Sequence, residues 1–96
     1  MSLDFNKKVQ MPDHVMKRDS DGEAVILNVN TEQYHGLDEV ASDFLEALIE
    51  NDSIAGAVES IQSDYEVSSE QLHADLTSFI TELLDKDLIL LTDVIP

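Results

Sequence analysis

Between Gln33 and Asp38 the hydrophobic period of the chain changes from two to 3.6, and no loop separates the two regimes. The six residues Gln33-Tyr34-His35-Gly36-Leu37-Asp38 read as a strand that hands the chain directly to a helix, with Asp38 as the acidic helix starter. Before the junction the pattern favours strands, and after it the pattern is helical to nearly the end. The reading is therefore an α+β domain, with Gln33 to Leu37 as the hinge between its halves. Gly36 sits where the backbone turns from one to the other and is expected to need a positive φ.

Upstream, residues 1 to 12 have little periodicity and end at Pro12, which predicts a flexible N-terminal arm before a domain spanning residues 13–92 and a short tail at 93–96. His14 to Arg18 forms a first apolar and basic strand. Asp19-Ser20-Asp21-Gly22 is dense in turn formers, with Gly22 suited to positive φ. Glu23 to Val29 is the richest β-branched stretch. Val25, Leu27 and Val29 share one face and Ala24 and Ile26 the other, which predicts a central strand. Asn30-Thr31-Glu32 turns the chain back into Gln33 to Leu37, completing a three-stranded antiparallel meander.

Downstream, Val40, Ala41, Phe44, Leu45, Leu48 and Ile49 mark one side of a first helix, which Asn51-Asp52 stops. Asp52 or Ser53 caps a shorter second helix carrying Ile54, Ala57, Val58 and Ile61. Ser68-x-x-Gln71 offers a capping box for a third and longest helix, to about Lys86. That helix has two apolar stripes. Leu72, Leu76, Phe79 and Leu83 form one; His73, Thr77, Ile80 and Leu84 lie roughly 100° around from it. The first stripe suffices for a core, with Phe44 and Phe79 as its aromatic filling. The second either widens that core under the C-terminal run Leu88-Ile89-Leu90-Leu91 or lines a groove.

Charge narrows the function. Twenty-one acidic residues against five basic ones give −16, which repels phosphate backbones and anionic membrane surfaces. Nucleic acid and membrane are expected not to be partners. No apolar run approaches the ~20 residues needed to span a bilayer. The absence of cysteine excludes disulfides and thiolate chemistry and suits a cytoplasmic setting. The three histidines are scattered, no Gly-rich phosphate loop occurs, and no enzyme activity, metal or cofactor is expected. One rival class is an acyl carrier protein, because Asp52-Ser53-Ile54 is similar to its attachment motif, with phosphopantetheine on Ser53. Carriers are helical throughout, whereas residues 14 to 37 read as a sheet.

The ordered series of signals resembles the PqqD family of small peptide-recognition domains. It is carried by Asp21-Gly22-Glu23-Ala24-Val25-Ile26-Leu27, Gln33 to Leu37, and Phe44 with Leu48. Asp64-Tyr65-Glu66-Val67, Asp75-Leu76 with Phe79 and Leu83, and Leu88-Ile89 complete it. The resemblance implies a winged-helix-like outline that holds the leader of a ribosomally made precursor peptide. The peptide adds as a strand to Gln33, Tyr34, His35, Gly36 and Leu37 and lies against His73, Thr77, Ile80 and Leu84. It further implies presentation to a modifying enzyme of the radical S-adenosylmethionine type, in pyrroloquinoline quinone or related peptide-derived biosynthesis. Two positions depart from the family pattern: His35 replaces a second aromatic residue, and Asp87 replaces a glycine, which predicts a different end to the third helix. A free third-strand edge or the N-terminal arm also offers a route to a homodimer.

Overall fold

The computed structural model describes residues 3–93. Its order is β1 (Lys8–Gln10), β2 (Val15–Ser20), β3 (Glu23–Asn28), β4 (Tyr34–Leu37), α1 (Glu39–Glu50), α2 (Ile54–Asp64), α3 (Ser69–Asp85) and β5 (Leu90–Thr92). Strands β2, β3 and β4 form the antiparallel meander, with β3 in the middle. Asp21 and Gly22 both take positive φ, the requirement of a two-residue type I′ hairpin, whose twist matches that of the strands it joins.

The sheet is covered on one face. Val15, Ala24, Ile26 and Leu37 point into a core shared with Leu45, Leu48, Ile61, Leu72, Leu76 and Leu83. Alternation sends Met16, Val25 and Tyr34 outward, where all three are exposed. The central position of β3 agrees with the sequence reading, although its second apolar face has no cover among the described residues.

Caps set the helix starts. Asp38 accepts the Ala41 N–H at 2.8 Å, Ser53 that of Gly56 at 3.1 Å and Ser68 that of Gln71 at 3.2 Å. The capping box at Ser68 is only half made, because the Gln71 side chain turns forward to Asp75 at 2.8 Å. Helix α3 ends in a full Schellman arrangement: Asp87, at φ 55°, donates its N–H to Leu84, and Leu88 donates to Leu83, each at 3.0 Å. Asp87 thus takes the left-handed conformation usual for glycine, so the helix ends as a glycine would end it and the different end expected from the sequence is not found. Asp87 is held there from the sheet, since Asn28 Nδ2 donates to its carbonyl at 2.9 Å and His14 Nε2 lies 3.1 Å from its carboxylate.

The opening residues correct the expectation of a loose arm. Strand β1 pairs antiparallel with β5, Val9 opposite Leu91, and Val9 is fully buried. Lys7 and Phe5 lend their carbonyls to the Ile54 and Ala55 N–H groups, two orphan donors at the start of α2, at 2.9 Å each. Lys8 Nζ does the converse, donating to the carbonyls of Ile49, in the last turn of α1, and of Asn51, its C-cap. Periodicity within residues 1–12 could not show this. The partners lie more than forty residues away in sequence.

Candidate functional site

The meander has two edge strands, β2 and β4, and β4 is the one that leads directly into the helices. Its inner side bonds to β3 in the register Leu27–Tyr34, Ile26–His35, Val25–Gly36 and Ala24–Leu37, and its outer side has no strand partner among the described residues. Such an edge carries unpaired N–H and C=O groups ready for another extended chain. Tyr34 and Gly36 point outward and His35 and Leu37 inward; Gln33 stands just before the strand, its carbonyl accepting the Asn28 N–H at 2.8 Å. Gly36 does not need its expected positive φ, and a Cβ there would meet nothing within 4 Å. Its size leaves space rather than permitting a strained turn.

Helix α3 brings its C-terminal turns to this strand. Lys86 Nζ lies 2.9 Å from His35 Nδ1, and Glu82 Oε1 lies 3.7 Å from the same atom. One turn before Glu82, Phe79 meets Phe44 edge to face at 6.4 Å between centroids, and Phe44 meets Tyr65 likewise at 6.3 Å. The Tyr65 hydroxyl donates to Asp43 Oδ2, a bond that pushes the phenol above its ordinary pKa. Glu82 and Lys86 are therefore the residues of α3 that meet β4, and Phe79 lies on the same side of the helix one turn back, packed against α1.

The second stripe read from the sequence lies elsewhere. Ile80 has 0% exposure and belongs to the core, so it is not a groove residue. The reason is geometric: Ile80 lies within about 80° of Leu72, Leu76 and Leu83 around the helix, and the core face of α3 is that wide. His73, Thr77 and Leu84 occupy the opposite shoulder. His73 stacks on Phe5 at 4.4 Å, while Thr77 and Leu84 line a cleft of 610 Å³ with Leu3, Asp4, Lys7, Thr81, Asp85 and Leu91. The structure thus gathers His35 with Lys86 and Glu82, and separates Gln33 to Leu37 from the stripe expected to face them. The sequence placed Phe79 in the core stripe and gave Glu82 and Lys86 no role. Lys86 had a signal, as a lone base in an acidic helical half, but a two-stripe analysis gave it no role.

The remaining expectations fall on ordinary positions. Ser53 Oγ serves as the α2 cap. The three histidines are spent on Asp87, Lys86 with Glu82, and Phe5, and no group of three His, Asp or Glu among the described residues could hold a metal ion. No helix among them is long and apolar enough to cross a membrane.

No curated protein matches the chain in sequence. Two solved structures resemble it over nearly their whole lengths. One, described as TbiB1 in complex with the TbiA(beta) leader peptide, is 30% identical with a TM-score of 0.75, over 83% of this chain and 93% of that one. The other, described as lasso peptide synthetase B1 complexed with the leader peptide, is 20% identical with a TM-score of 0.77, over 86% and 98%. The second, at that identity, speaks for the fold alone. The sequence profile of coenzyme PQQ synthesis protein D matches residues 23–89, from the start of β3 past the Schellman end of α3. A match over that much of the chain, joined to a meander with a free β4 edge, leads to one conclusion: this protein belongs to the PqqD family.

Proposed function

We propose that this protein is a non-catalytic leader-peptide-binding module: it holds the leader of a ribosomally made precursor by strand addition to β4 and presents it to a modifying enzyme. The observation that carries the reading is the unpaired outer edge of β4 beside a shoulder of α3 that offers an aromatic ring and both signs of charge. Strand addition supplies backbone hydrogen bonds for affinity, and alternate side chains of the peptide fall toward α3 for selectivity. The leader peptide in the 30% identical relative supports this choice of ligand.

The site is the edge from Gln33 to Leu37 with Phe79, Glu82 and Lys86, and no longer the stripe of His73, Thr77, Ile80 and Leu84. The modifying enzyme expected from the family is of the radical S-adenosylmethionine type, and the client pathway is that of pyrroloquinoline quinone or another peptide-derived product. Amide exchange tests the proposal. Binding of a precursor leader slows exchange at the outward N–H groups of Tyr34 to Leu37 and leaves Thr77 and Leu84 unchanged. Protection confined to the Thr77 and Leu84 cleft would instead move the site to the opposite shoulder.

A further inference from the structure

Lys86 holds a position that no other base in the chain shares. Of the five basic residues, Lys7 is paired with Asp93, Lys8 is spent on two helix-end carbonyls, and Lys17 bonds Asp19 at 2.9 Å. Arg18 lies on β2, with β3 between it and β4. The Arg18 side chain shares a cleft with Gly36 on the outer face of the sheet, the face away from His35, so Lys86 is the base that meets β4 on the His35 side. Its contact with Glu82 is loose, at 3.9 Å, and its close contact, at 2.9 Å, is with a ring nitrogen of His35. The side chain is 35% exposed, so the ammonium has donor capacity left and a path to solvent.

Resting on the strand-addition reading above, we infer that Lys86 is a specificity-determining residue that selects a carboxylate side chain, Asp or Glu, at the peptide position opposite His35. In an added strand the residue in register with His35 points to the same face as His35, which is the face where Lys86 Nζ lies. A carboxylate arriving there takes a charge-assisted hydrogen bond from the ammonium in place of the ring-nitrogen contact, and at that distance the attraction outweighs repulsion from Glu82, which stays 3.9 Å from Nζ. A Lys or Arg arriving there must draw Glu82 away from Lys86 and stand beside a second cation. The overall charge of −16 does not reverse this preference, because at physiological salt charges beyond about 8 Å are largely screened and the nearest group dominates.

The test uses a library of random nine-residue peptides displayed on phage, selected against the whole protein, Lys86→Gln and Lys86→Glu. Lys86 contributes to the helix end through its backbone N–H, so both variants keep the fold, which circular dichroism and melting verify. The wild type enriches Asp or Glu at one position between alternating apolar residues. Lys86→Gln binds the consensus peptide about fivefold more weakly, with no preference at that position, and Lys86→Glu enriches Lys or Arg there instead. A wild-type pool that protects Tyr34 to Leu37 from exchange yet favours no carboxylate overturns the role of Lys86 alone. A carboxylate preference unchanged by Lys86→Glu does the same. Failure to enrich any peptide that protects β4 overturns the strand-addition reading, and this inference with it.

Discussion

The two shoulders of α3 differ in what has already been used. On one, His73, Thr77 and Leu84 face the opening residues of the chain, where Phe5 stacks on His73 and Leu3 and Leu91 wall the cleft. On the other, Glu82 and Lys86 meet a strand whose outer edge has no strand partner among the described residues, with Phe79 one turn back against α1. The first shoulder already has contacts from the opening residues, although His73 and Leu84 stay exposed beside the cleft, whereas the second adjoins a strand edge with backbone groups left to pair. An apolar stripe therefore does not locate a binding face; the elements opposite it do. Between the shoulders lies a core face made broad by Ile80.

The largest effect should fall on that dividing face. Ile80→Asp should unfold the protein as Leu76→Asp does, a loss on the order of 4 kcal/mol or more, because both sites are fully buried and neither offers a partner for a carboxylate. Denaturant midpoints measure it. A folded Ile80→Asp variant would place Ile80 at a groove after all and erase the distinction between the shoulders.

Next in size is the aromatic ladder. Phe44 and Phe79 are half-buried, so Phe79→Ala should cost about 2–3 kcal/mol, at the low end for a ring. It should also weaken leader binding in calorimetry. Leu84→Ala, at 37% exposure on the used shoulder, should cost less than about 1 kcal/mol and leave binding unchanged. Equal binding losses from the two would break the comparison.

Asp87→Ala should cost about 1–2 kcal/mol, since alanine keeps the strain of φ 55° and loses the ties to His14 and Asn28. Thermal unfolding reports it. Gly36→Val should move the melting temperature by only a few degrees, because its φ is not positive and a Cβ there meets open space.

The smallest effect is spectroscopic. The bond to Asp43 holds the Tyr65 hydroxyl protonated above the usual phenol range. The sign follows: this contribution is complete below the unfolded-state pKa and is lost as pH rises through the higher folded-state value. Asp43→Asn should return the Tyr65 ultraviolet titration toward the ordinary phenol value. Phe79→Ala should disturb that titration through Phe44, and Leu84→Ala should not.

Local chemistry made much of the architecture legible. The Asp21-Gly22 turn, the β-branched run of β3, and the Asp38, Ser53 and Ser68 caps each act over two to four residues, so their consequences can be read where the residues stand. The family resemblance was legible for the same reason, as an ordered series of such local signals. The sequence also marked β4 as the strand adjoining the helices, but a periodicity analysis cannot say what lies opposite a helix face. Ile80 and Thr77 are neighbours on the helical wheel, yet one is sealed in the core and the other lines a cleft.

The sequence by itself determined the three strands of the meander, the three helices and their order, but not β1, because turn residues, caps and hydrophobic period bias the backbone within a few residues of themselves. Only the tertiary structure decided that Val9 pairs with Leu91, that Lys8 serves the end of α1, that Asp87 takes the left-handed turn, and that Lys86 meets His35. Those four depend on pieces of chain that are distant in sequence. Each was settled when burial of the shared core brought the partners together, because the groups then had to satisfy one another's hydrogen bonds and charges.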